Sequence, residues 1–331
     1  MKKILVFGAT GNIGVYFVDY CKEHLDSSEF EVIAIGRRDT EFFKNNGIKY
    51  FRVDLTKSED FTKLPTEDVY AVVNLAGLLP AYLKEFNPFA YVETNINGSL
   101  RILEYARKSG ADRALYAQTW AEMAGYWGKE EVLSTKLPRK LLYTGDHAFY
   151  SITKCMVVDT MEHYKQEYGL KNFVFRLPNV YLYNPEKYYY VDCVPKKIAY
   201  RYMIDCAAAG EDIEMWGNPD AFKDILYIKD LCQMMYKALF VNINGGTYNA
   251  GTGIKTTLRE QIQGIVDVFS PEGKKSKIIK KPEGAGFTSF VMDIENAREE
   301  LGYEPEYTYI KYLEDYKKEQ ELKRFDELWK K

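Results

Sequence analysis

The chain has 331 residues, of which 46% are hydrophobic and 15% aromatic, enough to bury a sizeable core in one large or two interlocked domains. A formal charge of −3 and a pI near 5.9 argue against long-range attraction to nucleic acid or to an anionic membrane surface, so an anionic ligand has to be met by local groups. The apolar run after Lys2 and Lys3 stops at Gly8, no stretch is long enough to cross a bilayer, and the five scattered cysteines lack CxxC spacing. Reduced, mostly buried thiols in a cytoplasmic protein are the expectation.

Residues 4–7 form a fully apolar run ending in glycine, and Ile13, Phe17, Val18 and Cys21 then recur at helical spacing, so the chain opens strand, turn, helix. Between them stands Gly8-Ala9-Thr10-Gly11-Asn12-Ile13-Gly14. Glycines at that spacing permit a tight turn and a close backbone approach to a pyrophosphate, which the N–H groups and positive dipole end of the following helix then receive. Gly8, Thr10, Gly11, Asn12, Ile13 and Gly14 are therefore candidate contacts of a dinucleotide. The second strand, 32–35, ends in Gly36-Arg37-Arg38, where dinucleotide folds often carry an acidic residue for the ribose hydroxyls. Two arginines suit a 2′-phosphate instead, which predicts NADP in preference to NAD. After a third strand at 50–53, Asp54, with Leu55 beside it, is placed to accept a bond from the adenine amino group, while a lone Asp after a strand equally suits a turn.

Further apolar runs at 69–73, 114–117 and 173–177 alternate with helical patterns at 89–107 and 150–168. Continuous apolar strands separated by helices predict an α/β fold of Rossmann type, a doubly wound parallel sheet covered on both faces. The pattern changes after Pro178: residues 181–223 are rich in Tyr, Pro and Gly, a strand resumes at 225–228, and Asp230 is expected to cap a helix through 231–240. Thr257-Leu258-Arg259-Glu260 reads as a capping box opening a helix with Ile262, Ile265, Val266 and Phe269 on one face. Ile310, Leu313 and Tyr316 predict an amphipathic final helix whose charges face solvent.

Tyr150 and Lys154 stand four apart in a predicted helix and so share a face. The chain holds 28 tyrosines, and the same spacing recurs at Tyr183/Lys187 and Tyr307/Lys311. Pro185 removes the first of these from a helix interior and the second lies outside the strand-helix-strand region, which leaves Tyr150/Lys154 beside the expected crevice. A phenol, with its ordinary pKa near 10, is a poor base at neutral pH unless a cation stabilises the phenolate. Lys154 is that cation, and Tyr150 would take the hydroxyl proton as a hydride leaves the carbinol carbon, or return it in reduction. His147, one turn earlier, reads as structural, because the three histidines have no metal-ligand spacing.

Taken together these residues resemble the extended short-chain dehydrogenase/reductases, specifically the NAD-dependent epimerase/dehydratase family. The resemblance is carried by the glycine loop and the Tyr/Lys pair, by Asn74-Leu75-Ala76-Gly77, by Pro88 with Asn95-Ile96-Asn97-Gly98, and by Arg176-Leu177-Pro178-Asn179-Val180-Tyr181. Lys223-Asp224, Tyr227-Ile228-Lys229-Asp230 and Tyr248-Asn249-Ala250-Gly251 extend it over nearly the whole chain. It implies a dinucleotide-binding domain over 1–178 completed by about 225–250, and a substrate-binding domain from 179–224 and 251–331. It also implies that Leu75, Ala76, Gly77, Asn95 and Pro178 line the cofactor, and that Asn179, Lys223 and the 190–223 region meet a nucleotide-sugar substrate. Tyr188–Tyr190 would stack on its base or simply pack, and a homodimer through 89–107 and 150–168 is implied as well.

Three departures bear on the reaction. The family's catalytic hydroxyl corresponds to Thr119, although counting back from Gly125 puts Trp120 on that spot. The Asp-Glu of the 4,6-dehydratases has no counterpart in Trp120-Ala121, which disfavours dehydration. Lys223 replaces a frequent Arg, and Leu182 replaces the Gly after Tyr181. The expected activity is an NAD(P)-dependent nucleotide-sugar epimerase or ketoreductase; the alternatives are an oxidoreductase of the same family acting on a non-nucleotide carbonyl or alcohol, and a non-catalytic dinucleotide-binding sensor or scaffold.

Overall fold

Strands without polar breaks need cover on both faces, and these have it. The computed structural model describes residues 1–281 and 288–329. Seven strands form its central sheet: β1 Lys2–Phe7, β2 Phe30–Gly36, β3 Lys49–Arg52, β4 Val69–Asn74, β5 Arg113–Thr119, β6 Lys171–Leu177 and β7 Gly245–Asn249. They run parallel in the order β7-β6-β5-β4-β1-β2-β3. The winding reverses between β1 and β4, so a crevice opens beyond their carboxyl ends.

Side chains alternate between two apolar layers. Ile4, Val6, Ala34 and Val73 join Phe17 and Val18 of helix α1 (Asn12–His24) on one face. On the other, Leu5, Phe7, Ile33 and Val72 meet Ile102 and Leu103 of α2 (Gly98–Lys108) and Val157 and Met161 of α3 (His147–Tyr168). The first layer continues without a break through α4 (Ala199–Ala209), α5 (Ile228–Phe240) and α6 (Leu258–Phe269) to α7 (Tyr309–Leu322) and on to Phe325 and Leu328. The C-terminal segments therefore pack onto the same core as β1.

The capping box forms: Glu260 N donates to Thr257 Oγ1 at 3.2 Å and Thr257 N donates to Glu260 Oε2 at 2.7 Å. Three local expectations are corrected. Asp230 does not cap its helix, which starts earlier, at Ile228; its carboxylate instead accepts the Glu306 N–H at 2.7 Å and the Tyr307 N–H at 3.3 Å. The helical stretch expected over 89–107 contains a π-turn, Val92–Asn97, between Pro88–Tyr91 and α2. In α7 the buried face is Tyr312, Leu313 and Tyr316 while Ile310 is exposed, and the helix ends at Lys323 in a left-handed conformation. Four of the five cysteines are buried thiols, and Cys193, at the tip of a hairpin, is half-buried. Among the described residues no helix is long and apolar enough to cross a membrane.

Candidate functional site

The glycine loop closes against β4 so tightly that side chains are excluded. Gly8 has φ +84°, and a Cβ on it would lie 2.7 Å from Ala76 N; on Gly14 a Cβ would lie 2.2 Å from Gly8 O. Gly11, at the N-cap of α1, supplies no side-chain acceptor, so the N–H groups of Asn12 and Ile13 face the crevice without an intrahelical partner. Thr10 lies against Gly36 at the end of β2, where a Cβ would come within 2.9 Å of its side chain. This cradle of backbone and small side chains at a helix N-terminus fits the pyrophosphate and ribose of a dinucleotide.

Arg37 is exposed at the rim beside Gly36, with Asp54 within its electrostatic reach. Arg38 is engaged elsewhere: its guanidinium donates to Leu328 O at the C-terminal turn. The expected pair is thus reduced to one free arginine. Asp54 forms the turn weighed for it, Oδ1 accepting Thr56 N at 3.0 Å and Thr56 Oγ1 at 2.9 Å, and these bonds hold its carboxyl below the usual range. Leu55 packs against Gly98 rather than standing free at the rim.

The loop after β4 is held from below. Asn74 Oδ1 accepts Ala76 N at 3.2 Å, and the fully buried Asn95, in the π-turn, accepts Leu78 N at 2.7 Å while donating to Thr153 Oγ1 of α3 at 3.2 Å. Asn95 therefore ties the loop after β4, at Leu78, to the Tyr/Lys helix rather than presenting its amide to the crevice. Asn12 is also committed, accepting from Asn184 Nδ2 and donating to Tyr82 Oη, each at 2.8 Å. These bonds bridge the loops after β1, β4 and β6 across the switch point. Of the residues after β6, Pro178 is buried and Asn179 exposed.

Tyr150 and Lys154 sit one turn apart on α3, 8% and 4% exposed. Burial raises the Tyr150 phenol above its ordinary value and pulls Lys154 down to about 7. Lys154 Nζ lies 3.9 Å from the centroid of the Tyr116 ring on β5. Neither side chain hydrogen-bonds to another described residue, so both are available to a ligand. Thr119 Oγ1 accepts Ala121 N at 3.2 Å, which caps the 3₁₀ turn Trp120–Tyr126 and leaves its own proton free to donate. Trp120 turns away to stack on Trp127 and Phe290, with ring centroids 4.4 and 4.2 Å apart. His147 pairs with Asp146 at 2.6 Å. Lys223 is half-buried and its pKa is lowered by burial. Tyr188–Val191 pairs with Val194–Lys197 in a hairpin whose tyrosines stay partly exposed.

One group escaped the sequence reading. Glu122, 2% exposed, accepts Arg176 Nε at 2.5 Å and Gln118 Nε2 at 3.0 Å, and Arg176 donates onward to Asn249 Oδ1 at 2.9 Å. Arg139 Nε lies 3.4 Å from the same carboxylate. A glutamate in an otherwise apolar stretch, Trp120-Ala121-Glu122-Met123-Ala124, was the available signal.

Comparison with known proteins bears on this geometry. The family model described as NAD dependent epimerase/dehydratase family matches residues 4–251. A dTDP-glucose 4,6-dehydratase of Escherichia coli is 25% identical, covering 93% of this chain and 90% of its own length. The UDP-glucose 4-epimerase of Thermotoga maritima, solved with UDP-glucose, superimposes with a TM-score of 0.77 at 22% identity, covering 96% of this chain and 99% of that one. The UDP-glucose 4-epimerase of Thermus thermophilus, solved with NAD, gives 0.71 at 22% identity, with 95% and 98% covered.

Proposed function

The chain belongs to the NAD-dependent epimerase/dehydratase family, and from that premise we propose that it is a nucleotide-sugar epimerase or ketoreductase in which Tyr150 is the general acid/base. The observation that carries this reading is the pair Tyr150/Lys154, buried one turn apart on α3 with no hydrogen-bond partner among the described residues for either polar end. Buried polar groups are ordinarily satisfied, so two left open mark a place kept for a ligand.

The cofactor, when bound, supplies the hydride acceptor or donor. Gly8, Gly11 and Gly14 would admit its pyrophosphate to the N–H groups of Asn12 and Ile13, with Thr10, Leu75, Ala76, Gly77 and Pro178 lining its path. Arg37 would pair with a 2′-phosphate, which supports NADP as the preferred form over NAD. Tyr150 holds the proton that moves to or from the substrate oxygen. Because burial opposes the phenolate, a neighbouring cation is required, and Lys154, one turn along α3, would provide it. Thr119 has a hydroxyl proton to place on the same oxygen. Asn179 and Lys223 would meet the substrate's diphosphate.

Elimination of water has less support. Trp120 is engaged in ring stacking, Ala121 has no acid/base group, and the Glu122 carboxylate is bonded to Arg176. A second copy of the chain is the proposed partner, through α2 and α3, where Leu100, Ile152 and Met156 are exposed.

Tyr150→Phe is expected to lower turnover of a UDP- or dTDP-hexose by about 10²- to 10⁴-fold while the protein still binds the dinucleotide in a calorimetric titration. An unchanged rate would remove Tyr150 from the reaction.

A further inference from the structure

The ammonium of a catalytic lysine is commonly held by an oxygen, yet among the described residues no carboxylate lies within ion-pair distance of Lys154. What it meets is a ring. On β5, Ala114 and Tyr116 point to the layer that α2 and α3 cover, and Leu115 points to the other. Tyr116 is thereby buried beneath α3, 1% exposed, with its ring centroid 3.9 Å from Lys154 Nζ. Its own hydroxyl, sealed in the core, has no hydrogen-bond partner. What faces Lys154 is the ring, which a phenylalanine would supply equally.

We propose that Tyr116 is a positioning residue for the reaction: its ring face carries the Lys154 ammonium and holds it at its place one turn from Tyr150. The proposal rests on the Tyr150/Lys154 reading above. A cation over an aromatic face is attracted by the ring quadrupole, most strongly where water is excluded. Burial works in the opposite sense and brings Lys154 to about 7, so the ring holds a charge that its surroundings otherwise disfavour. The other titratable groups around this pair are few. Tyr150 and Cys155 lie on α3 itself, as does His147, whose ring meets Tyr150 edge-on and pairs with Asp146; Glu122 reaches Tyr116 and Cys155 from the 3₁₀ turn after β5, and Tyr91 faces Tyr150 from the helix before the π-turn. Glu122 is neutralised by Arg176, with Arg139 3.4 Å away on its other side, and Cys155 joins the ring in favouring the ammonium.

The test compares Tyr116→Leu with Tyr116→Phe in the full-length protein. Lysine labelled with ¹⁵N at Nζ reports the Lys154 titration by NMR in protein free of cofactor, the signal being assigned by its loss in Lys154→Met. The expected result for Tyr116→Leu is a titration about one unit lower, matched by an equal downward shift of the alkaline limb of kcat/KM, hence about a tenfold loss of activity above that limb. Tyr116→Phe keeps the ring and should match the wild type in both readouts. Should the leucine leave β5 too loosely packed to fold, Tyr116→Met makes the same comparison with a longer side chain. An unmoved titration without the ring, or a Phe variant that titrates as low as the Leu variant, overturns the proposal. Failure of the Tyr150/Lys154 reading would show differently: Lys154→Met would retain full turnover, whatever the NMR titration says of Tyr116.

Discussion

Two clusters of buried ionisable side chains adjoin on α3, and they are built on opposite plans. Lys154 belongs to the first, with Tyr150 and Tyr116, where no polar end hydrogen-bonds to another described side chain and the ammonium meets only a ring. Cys155, the next residue, belongs to the second: its thiol lies 3.6 Å from Glu122, whose oxygens are otherwise taken by Arg176 and Gln118. In the Glu122 cluster opposite charges and amides offset one another's loss of water, so it locks the end of β5 to β6 and β7. In the Tyr150 cluster no hydrogen bond or opposite charge offsets desolvation, which displaces the pKa values of both Tyr150 and Lys154. A buried charge thus signals structure where its partners are complete and chemistry where they are missing.

If that contrast holds, mutations on the two sides should have opposite signs in stability. The largest expected effect is in the paired cluster: Arg176→Ala strands the Glu122 carboxylate and should cost about 3–5 kcal/mol in denaturant unfolding. A loss below about 1 kcal/mol would break the comparison.

Lys154→Met should do the reverse. The lysine's pKa is 10.5 ordinarily and about 7 when folded, so the unfolded chain binds more protons between those values and stability from this group rises with pH across that window. Removing it should therefore stabilise the protein near pH 7 by a few kcal/mol, at about 1.4 kcal/mol per unit of displacement. The advantage over wild type should shrink as pH approaches 10, which thermal melts across a pH series would reveal.

The smallest effect sharpens the cofactor end of the site. Arg37→Ala should weaken NADP by roughly tenfold and leave NAD untouched, whereas Arg38→Ala should spare both, since Arg38 serves the C-terminal turn. Equal affinity of the unaltered protein for the two dinucleotides would remove the preference for NADP.

Much of this was legible in the chain because it is local. The apolar run before Gly8, the glycine spacing and the first turn of α1 follow from sterics within fifteen residues, and Tyr150 and Lys154 share a face because a helix repeats every 3.6 residues. The capping box at Thr257 was visible for the same reason.

What the sequence by itself could not decide is which distant residue each polar group would meet. Its place after β2 points Arg38 toward a phosphate, yet it bonds Leu328, separated from it by 290 positions. Local sequence suits Asp230 to cap the helix beside it, yet its carboxylate serves the backbone at Glu306 and Tyr307. Glu122 finds Arg176, and Lys154 the Tyr116 ring, only because β5 lies between β4 and β6 with α3 across it. Backbone preferences act over a few residues and can be read along a line. Side-chain partners depend on strand order and layer packing, which the whole chain settles at once.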